Sequence, residues 1–298
     1  MRRIRRNQDR SMTGYLYIAP WLAGFFLLTA WPMMQSAYFS LTDYSLLEPA
    51  RWIGLRNYRQ IFTTDQSFVH SLRATFLYVL FSVPLKLIAA LLIAMVLNKN
   101  LRGMHFYRTV IYFPSLIGAS VAVAILWNNV FGINGLVNQL LSLVHIEGQN
   151  WIGTPSTALG TLIILAVWQF GSSMVIFLAG LKQIPGEYYE AAAVDGAGKV
   201  RSFFKVTLPL LSPIILFNLV LQTIGSFQMF TQAFIITRGG PVETTYMYAL
   251  FLFDKAFAHL QMGYASALAW ILLAIIAAVT AFIFATSRAW VHYETEGR

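Results

Sequence analysis

Six stretches of this chain, Tyr15–Ala37, Ala74–Leu97, Val110–Phe131, Ala158–Leu181, Leu210–Phe234 and Ala267–Ser287, are so apolar and so long that water cannot be their solvent. A run of roughly 18 or more apolar residues reads as a membrane span, because at about 1.5 Å per residue a helix of that length crosses a hydrocarbon core of about 30 Å. Lipid offers the backbone no hydrogen bonds, so each run has to satisfy its own amides as an α-helix. Composition agrees: 57% of the residues are hydrophobic and 11% charged, where a soluble domain carries about 25% charge. The expected fold class is an all-α membrane protein with six transmembrane helices. The basic start, Met1 to Arg10, looks like the first part of a signal peptide, but no small-residue processing site is evident and five more spans follow, so the first helix is expected to be retained.

Charge then orients the chain. With the N-terminus cytoplasmic, that side holds fourteen lysines and arginines, in the arm (Arg2, Arg3, Arg5, Arg6, Arg10), the loops after spans two and four, and the tail; the other side holds six. Positive residues stay inside, so both termini are expected in the cytoplasm. The net charge of +9 is therefore a topology signal, and nucleic acid is not an expected partner, since no recognition motif accompanies it. The predicted organisation is a basic arm at 1–14, a six-helix domain at 15–287 with a cytoplasmic loop at 185–209, and a tail at 288–298. Prolines at Pro20, Pro32, Pro84, Pro114 and Pro213 each remove a backbone donor inside a span.

No catalytic centre is expected. Cysteine is absent, the five histidines lack metal-ligand spacing, and no carboxylate pair or nucleophile set is recognisable. Gly196-Ala-Gly-Lys199 resembles the end of a phosphate-binding loop, but Ala193 and Val200 stand where glycine and a hydroxyl residue are required. No metal or cofactor is expected in the chain itself.

The loop after span four has its own local logic. Pro185-Gly186 breaks the chain, Glu187 and Glu190 fall in the first turn of a short helix where acidic groups complement the dipole, and Ala191, Ala192 and Ala193 favour helix with little bulk. Gly196 and Gly198 interrupt it, and a second amphipathic stretch starts at Lys199. A helix, a sharp turn and a second helix are expected.

These residues resemble the EAA motif of ABC importer permeases. Glu190, Ala191, Ala192, Gly196, Leu208 and Pro209 match it at its spacing, with Val206 in place of isoleucine. Trp52-Ile-Gly-Leu-Arg-Asn-Tyr58 and Thr237-Arg-Gly-Gly-Pro241 are similar to phrases of the carbohydrate branch, the maltose and glycerol-phosphate type. The resemblance implies the type I importer permease fold in a bacterial inner membrane. It also implies a second permease subunit, an ATPase dimer that binds ATP and magnesium, an extracytoplasmic solute-binding protein, and a sugar or oligosaccharide as cargo. It assigns Glu187, Glu190, Ala191, Ala192, Asp195, Gly196, Leu208 and Pro209 to coupling with the ATPase.

Polar residues at membrane depth are the candidate pathway, because they are costly there. Span five offers Gln222, Ser226 and Met229 on one helical face with Gln228 and Gln232 beside it, span four offers Trp168, Gln169, Ser172 and Ser173, and span three offers Ser115 and Ser120. Lys86, in mid-span two, is expected to pair with a carbonyl near Pro84 or with the second permease. The alternative reading, an ion-coupled secondary transporter, expects intramembrane carboxylates; the six predicted spans hold no Asp or Glu.

Overall fold

A computed structural model describes residues 15, 17–99, 103–118 and 120–292, without the side chain of His105. The basic arm predicted at 1–14 and the last six residues of the predicted tail lie outside the described residues. Among the described residues, five helical stretches, Tyr17–Ser40, Gln66–Leu97, Val121–Leu143 (two short helices in succession), Lys199–Phe227 and Met262–Ser287, are long and apolar enough to cross a membrane, and the bent pair Pro155–Trp168 and Gly171–Gln183, counted as one span, makes six. The helices are α1 (Tyr17–Ser40), α2 (Arg56–Thr63), α3 (Gln66–Leu97), α4 (Met104–Ile117), α5 (Val121–Phe131), α6 (Leu136–Leu143), α7 (Pro155–Trp168), α8 (Gly171–Gln183), α9 (Gly186–Val194), α10 (Lys199–Phe227), α11 (Tyr248–Phe253) and α12 (Met262–Ser287).

The chain divides into two units. One takes the described residues up to Asp65 together with Leu252–Leu272. Its helix α1 is exposed along most of its length, Trp21, Phe26 and Leu28 included. A wide π turn, Phe26–Ala30, sits one residue ahead of Pro32, and another, Phe203–Thr207 in α10, sits one residue ahead of Pro209. Proline cannot donate to the carbonyl four residues back and its ring crowds that carbonyl, so the wider turn relieves the same conflict in both helices.

Past α1 the chain folds back as two short strands, Thr42 opposite Trp52 and Asp43 opposite Arg51. Asn57, buried on α2, pins this corner by donating from Nδ2 to the carbonyls of Ser40 and Thr42, both at 2.9 Å. Asn57→Ala removes the donor and leaves two buried acceptors bare, a loss of about 2 kcal/mol; thermal unfolding of the purified protein should show the lowered midpoint, whereas Arg59→Ala, on the exposed face of α2, should not. The same unit holds a polar cluster in which Tyr264 donates to Asp65 Oδ2 at 2.6 Å and Lys255 Nζ lies 3.3 Å from that oxygen.

The second unit is built around α3, against which α7, α8 and α10 pack. Val83, Leu87, Ala90, Ala94 and Leu97 form its buried stripe at alternating four- and three-residue spacing, the pattern of a helix that meets neighbours along one seam. Ala90 and Ala94 are fully buried; small residues let helix backbones approach closely where no hydrophobic effect drives them together. Gly180 serves α8 in the same way, since a Cβ there would run into Leu211 and Ile214 of α10.

Three predicted spans are interrupted. Val110–Phe131 is not one helix: α4 ends at Ile117, and α5 starts anew with Ser120 as N-cap, its Oγ accepting from the Val123 amide at 3.3 Å. Pro114 and Gly118 weaken the ladder there and the serine takes over an orphaned donor. The fourth span is the pair α7 and α8, bent by 41°. In the fifth, α10 ends at Phe227, and the amides of Gln228 and Met229 reach only the carbonyls of Gly225 and Ser226. The expected single face of Gln222, Ser226 and Met229 therefore stops short of Met229, where Gly225-Ser226 lets the helix tighten and end.

Candidate functional site

The expected helix, turn and second helix form, with one difference: the helix starts at Gly186, so Glu190 falls beyond its first turn. Pro185 precedes α9 in an extended conformation, and Glu187 lies in the first turn. The helix closes through Ala197 N–H to the Ala192 carbonyl at 2.8 Å and Gly196 N–H to the Ala193 carbonyl at 3.0 Å. Gly196 takes a φ of +74°, the left-handed position that ends many helices and that glycine occupies without a Cβ penalty. Asp195 is the C-cap residue and is exposed, as are Glu187, Glu190 and Ala191, with Ala192 half-buried.

Leu208 and Pro209 lie within α10, so the second helix and the fifth span are continuous. Pro213 cannot donate to the Pro209 carbonyl; the Ser212 hydroxyl does so instead at 2.6 Å and accepts from the His292 amide at 2.8 Å. That bond holds the end of the described chain beside the base of α10. The Tyr189 and Thr207 hydroxyls, 3.0 Å apart, tie α9 to the same helix. Val194, Val200 and Phe204 stand exposed around the turn.

The three helix breaks meet at one place. The Gly118 carbonyl, at the end of α4, accepts from Gln169 Nε2 at 2.7 Å and lies 3.4 Å from Gln232 Nε2. Gln169 is the C-cap of α7 at the bend, and Gln232 follows the end of α10. A side chain at position 118 would meet Gln169 Cδ 2.6 Å away, so the missing Cβ is what admits the amide. Irregular backbone at membrane depth is tolerated where protein buries it or where it lines a polar cavity. Here it borders a cleft of about 320 Å³ whose walls include Tyr78 and Lys86 of α3.

Of the predicted pathway residues, Gln169, Gln222, Ser226, Gln228 and Met229 line this cleft. Ser115, Trp168 and Ser172 do not. Ser115 Oγ accepts from the Gly171 amide at 2.7 Å and braces the α7–α8 joint. The Trp168 ring lies 6.0 Å from that of Trp127, whose indole donates to the Thr161 carbonyl at 3.0 Å, so it packs α7 against α5. Ser172 is exposed on α8.

Lys86 does not pair with a carbonyl near Pro84, one of its two expected partners: it lines the cleft, with no hydrogen-bond or ion-pair partner among the described residues. Tyr78 and Thr231 line the cleft without having been singled out in the sequence. A charge in mid-span was the one signal that could have drawn attention to this part of α3. A second cleft of about 480 Å³ borders His70, Arg73 and Glu243. Its His70–Glu243 pair, 3.1 Å apart, is half exposed and such pairs contribute little.

The model of the family described as binding-protein-dependent transport system inner membrane component matches residues 67–292. Over 299 residues the chain is 51% identical to the probable ABC transporter permease protein YesP of Bacillus subtilis, covering 99% of this chain and 97% of that one. It is 33% identical over 244 residues to the trehalose/maltose transport system permease protein MalF of Thermococcus litoralis, covering 81% and 82% of the two chains. A chain in the crystal structure of the bacterial alginate ABC transporter in complex with alginate pentasaccharide-bound periplasmic protein superposes with a TM-score of 0.84 at 19% identity, over 95% of this chain and 96% of that one. At that identity the likeness is one of fold.

Proposed function

The chain belongs to the binding-protein-dependent transport system inner membrane component family, and from that premise we propose how this ABC importer permease works. It pairs with a second, related permease in a bacterial inner membrane, and the two enclose the path of a sugar or oligosaccharide delivered by an extracytoplasmic binding protein. An ATPase dimer, which binds the ATP and magnesium, docks on the cytoplasmic side and grips α9 of this chain. Sugar cargo is supported by the relatives, among them the trehalose/maltose system permease. Nothing in the comparisons supports ion-coupled transport.

The observation that carries this reading is the exposed helix α9, closed at Gly196 and tied through Tyr189 and Thr207 to α10, which runs on unbroken from Lys199 to the polar cleft. A push on α9 is thereby delivered along one helix of 29 residues to the place where the helices are broken. Motion of this kind responds to nucleotide only if ATP stabilises one conformation more than the other. The excess of lysine and arginine on one side supports cytoplasmic termini, and the bond between His292 and Ser212 holds the last described residue beside the base of α10.

Two measurements test this. Proteoliposomes holding the complete complex should accumulate cargo only with ATP and binding protein; uptake driven by an ion gradient alone would refute the mechanism. Because the chain has no cysteine, Val194→Cys supplies one unique thiol, expected to crosslink to the ATPase subunit at the rim of its docking cleft. Labelling of that thiol from outside intact cells would reverse the topology and sink the coupling role.

A further inference from the structure

The importer reading leaves the cargo's chemistry open, and the cleft bears on it. Its polar walls are amides and hydroxyls, from Gln169, Gln222, Gln228 and Tyr78 among others, and they suffice for the hydroxyl pattern of a neutral sugar. Lys86 is different in kind. It is the one charged residue among the residues lining the cleft, and no carboxylate faces it there. The nearby carbonyl with a clear role, that of Gly118, is already taken by Gln169.

An ammonium at membrane depth is expensive wherever it has no counter-charge. The surrounding seam of α3 shows what packing alone would select, since Val83, Leu87 and Ala90 are all apolar. Methionine or leucine at position 86 would fill the same space at no electrostatic cost. A retained charge, half-buried and aimed at a cavity without an anion of its own, fits a site whose anion arrives with the ligand.

We propose that this cleft is an anion site and that Lys86 binds a carboxylate or phosphate carried by the sugar. The inference rests on the importer reading for the word cargo, but the charge of the cleft is measurable without it. Carboxylate and phosphate share the chemistry of a compact oxyanion hydrogen-bonded to an ammonium; an acidic sugar and a sugar phosphate are the two sources. The amides then orient the neutral part, and the ammonium discriminates against cargo with no charge, because binding a neutral sugar would leave it bare.

The first test reads the cleft directly. Ser226→Cys places a single thiol in its wall, and its labelling in the purified complex is followed with an anionic (sulfonatoethyl) and a cationic (trimethylammonioethyl) methanethiosulfonate, counting label on this subunit only. After correction for intrinsic reactivity, the anionic reagent should be favoured by about tenfold, the effect of one unit charge at close range in a partly desolvated site. Lys86→Met should erase the preference and Lys86→Arg should keep it. A ratio near one in the parent, as would follow if a carboxylate of the second permease neutralised Lys86, or a ratio indifferent to Lys86→Met, overturns the proposal.

The second test compares ATP-dependent uptake of digalacturonate, galactose 6-phosphate and neutral galactobiose, each at saturation of the binding protein. Uptake of one of the charged pair, reduced at least about tenfold by Lys86→Met and restored by Lys86→Arg, supports the proposal and identifies the source. Galactobiose carried equally by parent and Lys86→Met overturns it while leaving the importer reading intact. Failure of ATP to drive any uptake strikes at the importer reading, and the labelling ratio still decides the charge of the cleft.

Discussion

Gly196→Val is expected to cut ATP-driven uptake by more than about tenfold without reducing the amount of protein inserted in the membrane. At a φ of +74° an L-residue costs roughly 1–2 kcal/mol, and a β-branched one is a frank outlier. The helix end must then unwind, the bonds from Ala197 to Ala192 and from Gly196 to Ala193 are lost, and α9 can no longer transmit force to α10. A Cβ at this position has no heavy atom within 4 Å, so the defect is one of backbone conformation and not of crowding. Gly196→Asn, which tolerates the left-handed region, should therefore keep most of the activity. Uptake assays on both variants, with membrane levels measured in parallel, separate the two; equal loss in both would show that crowding by the ATPase, and not the turn, dictates glycine here.

The largest loss of stability is expected from Gly263→Ala. The Gly263 amide donates to the Tyr44 carbonyl at 2.9 Å, which draws the start of α12 onto the strand region. An added methyl would run into the Thr42 carbonyl oxygen and stand 2.9 Å from the Tyr44 nitrogen. Those atoms are backbone, held in turn by Asn57 and the strand pair, so they cannot step aside as a side-chain end would. Overpacking of this rigid kind costs about 3 kcal/mol, enough for the purified protein to unfold well below the parent midpoint. Gly160→Ala on α7 is the control: nothing lies within 4 Å of its Cβ, and alanine in a helix is neutral or favourable. Similar midpoints for Gly263→Ala and Gly160→Ala would show that the corner at Thr42 yields.

Much of this could be read in the residues themselves. The loop between Pro185 and Pro209 folds largely as its composition says because what shapes it is local: a proline to start, Glu187 in the first turn, alanines, and a glycine at the left-handed close. The apolar runs likewise announce crossings, since lipid solvation is a property of each segment by itself. The breaks were less visible. Gly118, Gly225 and, just past the Gln169-Phe170 junction, Gly171 are ordinary helix-interrupting residues, but membrane helices often run straight through such residues when neighbours satisfy the freed amides. Trp168 and Ser115 looked like ligand groups for the same reason that they are useful in packing, since an indole and a hydroxyl serve a backbone carbonyl or amide as readily as a sugar.

By itself, then, the sequence determined the number of crossings, their helical state and the helix-turn-helix that stands on the surface, because hydrophobicity, helix propensity and turn chemistry act over neighbouring residues. The tertiary structure decided that three separate breaks share the Gly118 carbonyl, that Lys86 opens on the same cleft as Gln222 and Ser226, and that Gly263 must have no side chain. Each of those facts depends on atoms brought together from distant parts of the chain, and the direction in which a helix faces is set by the packing of its neighbours.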